Sequence, residues 1–213
     1  QNINPRDTSA VLGYQEKILC GRGYIEDELC GVRFQIAASS FYQVNPKQTE
    51  VLYQTAISAA KLDGSQSVLD AYCGVGTIGL TAAGKARSVL GVELNKKAVQ
   101  CALENARKNG IKNARFLCED ATKFIQKMAD RGEHVDVVFM DPPRAGSTPE
   151  FLDAVSRMKP DSIVYISCNP ETLKRDLEIL VKKNWKVEMI QGVDLFPGTK
   201  HVECVVLMSK VKE

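Results

Sequence analysis

SVLDAYCGVGTIGL, residues 67–80, decides the fold. An apolar run leads directly into Gly74, Gly76 and Gly79, spaced G-x-G-x-x-G, and a helical pattern follows. Strand, tight glycine turn and helix in that order bring backbone close to a ligand and aim free N–H groups at it. Glu93 closes the next apolar run, SVLGVEL, where a carboxylate can accept hydrogen bonds from both hydroxyls of a ribose. This much fits any ribose-containing cofactor, and NAD is a fair first reading. Asp70 ahead of the glycines and DPPR at 141–144 are features that a nicotinamide enzyme has no particular reason to carry.

Outward from this stretch, short apolar runs recur: ARFLCED, VDVVFMDP, SIVYISC, WKVEMIQGVDL and HVECVVLMSK. Helical stretches separate all but the last two, which the short FPGTK loop joins and so marks as an antiparallel pair at one end of the sheet. Strands alternating with helices predict an α/β chain with a mostly parallel seven-stranded sheet covered on both faces and an antiparallel last strand. Ligands of such sheets lie at the carboxyl ends of the strands. Residues 1–45 read differently, as a short β-rich segment with glycine turns. From residue 46 a helix is expected, started by Asn45-Pro46, with Val51, Leu52, Ala56 and Ala59 as its apolar face.

The 213 residues are 44% apolar and 25% charged, ordinary for a globular chain long enough to bury a core. A net charge of +2 gives no strong electrostatic footprint for nucleic acid. Seven scattered cysteines without a CxxC pair argue against a disulfide framework or a metal site, and for a reducing, cytoplasmic setting. No membrane span or signal peptide is expected, and the start at Gln1 without Met reads as a piece of something longer.

Three further strand ends carry chemistry. DPPRAG (141–146) resembles the signature of exocyclic-amine methyltransferases, but Arg144 replaces their stacking aromatic residue. YISCNPETLKRDL (165–177) sets Cys168 before a helix that Asn169 caps and Pro170 opens. The positive end of that helix is expected to lower the thiol pKa and favour thiolate. Glu203 lies between Val202 and Cys204, and strand alternation turns its side chain away from theirs, toward a site.

Together, FYQVN (41–45), DAYCGVGTIGL (70–80), GVE (91–93), DPPRAG, IVYISCNPET (163–172) and DLFPGTKHVE (194–203) closely resemble the RNA uracil-5 methyltransferases. Even QNINPRDTSAVLG (1–13) is similar to that family's lead-in, and Gly198 departs from its usual His, Gln or Tyr. The resemblance implies a Rossmann-like methyltransferase domain at 46–213, with 1–45 the lead-in from a truncated RNA-binding region. It implies S-adenosylmethionine as cofactor, held by Gln43, Tyr72, Glu93 and Asp141, with Gly74 and Gly76 in the loop and Asp120 a weaker candidate for the adenine side. It makes Cys168 the nucleophile and Glu203 the base, with no metal. The partner implied is RNA, ribosomal ahead of transfer RNA, for a monomeric protein. The alternatives are another nucleic-acid target (cytosine carbon 5 or an exocyclic amine), a silent cofactor- or RNA-binding module in which Cys168 is structural, and an NAD enzyme.

Overall fold

A computed structural model of the chain describes residues 1–4, 13 and 15–211. Most of the 1–13 lead-in therefore lies outside the described residues. The chain runs through the short pair β1 (Asn2–Ile3) and β2 (Gln15–Glu16), the hairpin β3 (Tyr24–Leu29) and β4 (Val32–Ala37), and helix α1 (Pro46–Ala59). Strands and helices then alternate: β5 (Ser67–Ala71), α2 (Thr77–Ala82), β6 (Ser88–Glu93), α3 (Lys96–Lys108), β7 (Ala114–Cys118) and α4 (Ala121–Asp130). They continue as β8 (Val137–Met140), α5 (Pro149–Met158), β9 (Ser162–Ser167), α6 (Pro170–Val181), β10 (Trp185–Val193) and β11 (Glu203–Lys210).

Seven strands form the main sheet in the order β10-β11-β9-β8-β5-β6-β7. β5 to β9 run parallel, and β11 is antiparallel to both of its neighbours. The expected antiparallel pair is at one end of the sheet, with β11 slotted between β10 and β9. That insertion brings the start of β11 beside the end of β9, pairing Cys204 with Ser167. After β5 the chain turns first to β6 and β7 and only later returns to β8, so β5 and β8 flank the switch point where ligands of such sheets bind.

Polar caps set where each crossover helix begins. Asn45, Asn95, Asp120, Thr148 and Asn169 each accept a backbone N–H in the first turn, and Pro opens α1, α5 and α6. Asn95, Asp120 and Asn169 follow their strands within two residues, and Thr148 ends the longer loop after β8, so the residues between strand and cap line one rim of the sheet. Helices cover both faces. One core joins α1, α2 and α3 to the sheet and includes Leu29, Phe34 and Ile36 of the hairpin; the other lies under α4, α5 and α6. The hairpin is fastened further by the fully buried Asn105 of α3. It accepts from the Gln35 N–H (2.6 Å), donates back to the Gln35 carbonyl (3.2 Å) and donates to the Val75 carbonyl (3.1 Å).

One expectation for α1 is corrected. Val51 is 45% exposed, and the buried face consists of Thr49, Leu52, Tyr53, Ala56, Ile57 and Ala59. The helix is wedged deeper than its aliphatic pattern suggested, because Tyr53 sends its hydroxyl inward to Thr77 Oγ1 (3.2 Å) and so counts as a core residue.

Candidate active site

Gly76 and Gly79 explain the shape of the loop after β5. Gly76 caps α2 at φ +84°, in the left-handed region, where a Cβ would also press on Phe116 and Leu80. At Gly79 a Cβ would lie 2.8 Å from Asp70 Oδ2, the oxygen that accepts the Gly79 N–H at 2.8 Å. Asp70 thus ties the first turn of α2 to the strand beneath it. Its other oxygen is buried without a partner, and burial pushes its pKa up to about 7. Between strand and loop, Tyr72 holds a φ of +64°. A non-glycine residue held there costs about 1–3 kcal/mol, a strain that clusters at functional sites. Tyr72 is fixed by its hydroxyl to Ser147 Oγ (3.1 Å) and by its ring against Phe151.

A cavity of about 870 Å³ opens above these strand ends. Its β5–β6–β7 side carries Tyr72, Gly74, Glu93 and Asp120; its β8–β9–β11 side carries Asp141, Cys168 and Glu203; Gln43 enters from the loop before α1. Every sequence-derived site residue except Gly76 lines it, and Gly76 shapes the loop from below. A hollow of about 920 Å³ lies between the N-terminal segment and the hairpin. It holds neither Cys168 nor any of the strand-end carboxylates, so the chemistry belongs to the smaller cavity.

The Glu93 carboxylate is oriented by two backbone donors, Gly74 N–H (3.1 Å) and Asn95 N–H (2.7 Å), leaving lone pairs for a ligand. Asp120 accepts from the Lys123 N–H (2.9 Å) as the cap of α4. Val92, Leu94 and Ala121 supply apolar surface beside them. These acceptors, with the apolar wall beside them, fit a ribose flanked by a flat apolar ring. Asp141 differs: burial pushes its carboxyl up to about 8, helped by the nearby charges of Glu203 and Asp70. A shielded carboxyl group facing the cavity suits a positively charged ligand.

The thiol at Cys168 behaves opposite to expectation. Asn169 caps α6 as foreseen, yet burial and the charges of Glu203 and Asp141 raise the Cys168 pKa, while Arg144 pulls it down. Burial comes first, and two carboxylates facing the same hollow add to it. Glu203, only 3% exposed, is itself raised by burial and lowered by Arg144.

Arg144 is the residue that sequence reasoning set aside as a departure from another signature. It lines the cavity, and its Nη2 lies 3.3 Å from His201 Nδ1. A guanidinium only donates, so Nδ1 is the acceptor in this contact. Phe41, Phe196 and His201 also line the cavity. They sit inside the FYQVN and DLFPGTKHVE motifs, which was the signal available for them. Among the described residues no group of three or more His, Cys, Asp or Glu is arranged to hold a metal, and no helix is long and apolar enough to cross a membrane.

Comparison with known proteins places this geometry. The family model for tRNA (uracil-5-)-methyltransferase matches residues 11–211. An uncharacterised RNA methyltransferase of Bacillus cereus is 46% identical over all 213 residues, and one of Listeria monocytogenes serovar 1/2a is 47% identical over 208. The chain spans 46% of the length of each of these relatives. Among solved structures, the Pyrococcus abyssi tRNA (uracil-54, C5)-methyltransferase in complex with S-adenosyl-L-homocysteine superposes with a TM-score of 0.78 at 32% identity, covering 97% of this chain and 49% of that one. A SAM-dependent methyltransferase from Agrobacterium tumefaciens shares the fold, with a TM-score of 0.68 at 22% identity, covering 89% of this chain and 71% of that one. The chain therefore belongs to the tRNA (uracil-5-)-methyltransferase family.

Proposed function

We propose that this domain methylates carbon 5 of a uridine in RNA, using S-adenosylmethionine and a covalent adduct on Cys168. The observation that carries the reading is the meeting of a thiol, a buried carboxylate at Glu203 and the Glu93 ribose seat in one cavity. Residues 46–213 form the catalytic unit, and residues 1–45 lead in from the RNA-binding part of the whole protein.

The cofactor, when bound, supplies an electrophilic methyl group on a positively charged sulfur. Glu93 would hold the ribose hydroxyls, Asp120 and the apolar wall the adenine, and Asp141, Gln43 and Tyr72 the cationic amino-acid end. Carbon 5 of uracil is a poor nucleophile. Cys168 Sγ bonds to carbon 6, the ring double bond becomes an enolate, and carbon 5 gains the electron pair it needs. The thiol proton leaves to solvent, so that Glu203 remains an ionised base for the later step. A cation beside Asp141 removes one of the charges that hold this proton on sulfur. Once carbon 5 is alkylated, Glu203 takes its remaining proton, the double bond re-forms and the carbon 6–sulfur bond breaks.

Ribosomal RNA headed the sequence reading, and the P. abyssi relative, named for uracil-54 of tRNA, brings transfer RNA level as the substrate to assay. The test is incubation of the full-length protein with 5-fluorouridine RNA and cofactor. Fluorine blocks loss of the carbon 5 substituent, so a covalent protein–RNA adduct accumulates. Cys168→Ala is expected to abolish both the adduct and methylation. A wild-type protein that forms no adduct sinks the mechanism.

A further inference from the structure

We propose that Asp176 is a positioning residue of this reaction, a buried carboxylate on α6 that fixes the loop carrying Asp141 and Arg144 against the strand end carrying Cys168. Asp176 is fully buried and lies outside the cavity wall. Its Oδ2 accepts the Ser147 N–H (2.7 Å), from the loop after β8, and the Tyr165 O–H (2.7 Å), from β9 itself. Its Oδ1 accepts from Arg175 Nε (2.8 Å). Three separate elements thus meet at one carboxylate.

The loop is gripped along its whole inner edge. Arg175 Nη2 donates to the Ala145 and Ser147 carbonyls, each at 3.0 Å. The Arg144 carbonyl accepts from Asn169 Nδ2 (3.2 Å) and Thr172 Oγ1 (3.3 Å). Gly146, at φ +78°, lies so close to the pair that a Cβ would sit 2.5 Å from Arg175 Nη2 and 2.7 Å from Asp176 Oδ2. Ser147 Oγ then reaches Tyr72 at 3.1 Å, which ties the glycine-loop side to the same hub. A carboxylate has four lone-pair sites and no donor, so it can hold these N–H and O–H groups at once, as an amide cannot. Release of the grip lets Asp141 and Arg144 drift relative to Cys168, and a misplacement of about 1 Å costs about 100-fold in rate.

This role rests on the uridine reading for its chemistry, so one readout must be independent of it. In the full-length protein, Asp176→Asn is expected to speed amide exchange of the 141–148 segment at least ~10-fold. It should slow adduct formation at saturating 5-fluorouridine RNA about 100-fold, with the RNA KM nearly unchanged. Tyr165→Phe keeps the carboxylate and its ion pair and serves if the first variant does not fold; about 3- to 10-fold is expected from loss of one hydrogen bond. Ser156→Ala is the control. It loses the buried hydrogen bond from Trp185 Nε1 (3.1 Å) under the same helical layer, makes no direct hydrogen bond to the described residues of the loop, and should lose stability without losing rate. Wild-type exchange of the loop in Asp176→Asn and Tyr165→Phe overturns the proposal, as does an equal loss of rate in Ser156→Ala. A wild-type protein without adduct sinks the uridine reading alone and leaves exchange to decide the role of Asp176.

Discussion

On the β5–β6–β7 side of the cavity, the carboxylates of Glu93 and Asp120 accept backbone N–H groups before any ligand arrives. On the β8–β9–β11 side, Asp141 and Glu203 accept no hydrogen bond from the described residues, and burial raises both of their pKa values. The first side is a finished seat: its acceptors are already aimed by backbone donors. The second is held in a state whose charge is costly and which a proton or a cationic ligand relieves. A binding seat gains from being rigid and satisfied, because little is then left to order on association. A group that must move a proton gains from a pKa shifted toward the working pH, which satisfaction by backbone donors would prevent. Substitutions on the two sides should therefore fail in different ways.

The largest effect that separates them is expected at Glu203. Glu203→Gln keeps the size and removes the base, so Cys168 should still add and carbon 5 should still be methylated. Release should slow by about 10²- to 10⁴-fold, the usual worth of a positioned acid–base group. A gel-resolved adduct on ordinary, unfluorinated RNA would show the trapped methylated intermediate. Free 5-methyluridine released at the wild-type rate would break the comparison at its most important residue.

A middle-sized effect is expected on the other side. Glu93→Gln places an NH2 where one of two backbone donors already points, spoiling the seat without touching the reacting atoms. S-adenosylhomocysteine affinity should fall about 10- to 100-fold by calorimetry, the scale of one charge-assisted hydrogen bond. The adduct rate at saturating cofactor should stay within a few-fold. A large loss of that rate with affinity intact would mean that the two sides are not separable.

Much of this division was legible in the chain. Gly74, Gly76 and Glu93 act through local geometry, strand to turn to helix, and local geometry is written in consecutive residues. The caps Asn45 and Asn169 were readable for the same reason, since a capping side chain bonds to a backbone two or three residues on. The sign of the Cys168 shift was not readable. It depends first on burial and then on Glu203 and Asp141, which β11 and β8 bring to the end of β9 from distant parts of the sequence. Gln43 was found only through resemblance, because it lies in a loop without periodicity and only the fold buries it at the cavity. Nothing in the consecutive residues around Asp176 marks it out, and only the fold shows it enclosed among Tyr165, Arg175 and Ser147.

The smallest effect concerns stability, and it sharpens the comparison most because its sign is unusual for a site residue. The Asp141 carboxyl is pushed up to about 8, whereas in the unfolded chain it titrates near 3.8. The native protein therefore holds this proton more tightly than the unfolded chain does. Its contribution to stability is full below pH about 4, declines as the pH rises toward about 8, and is gone above that. Asp141→Asn removes the titration, so the variant should melt about 2–4 °C above wild type at pH 9 and level with it at pH 4, a modest gain because the side chain keeps some solvent access. Glu93→Gln should show no such gain, its carboxylate being already satisfied by Gly74 and Asn95. Adding S-adenosylmethionine at pH 9 should then raise the wild-type melting temperature more than that of Asp141→Asn, since only the carboxylate gains a cation. If Asp141→Asn melts below wild type at pH 9 without ligand, Asp141 is satisfied in the empty site and the contrast between the two sides fails there.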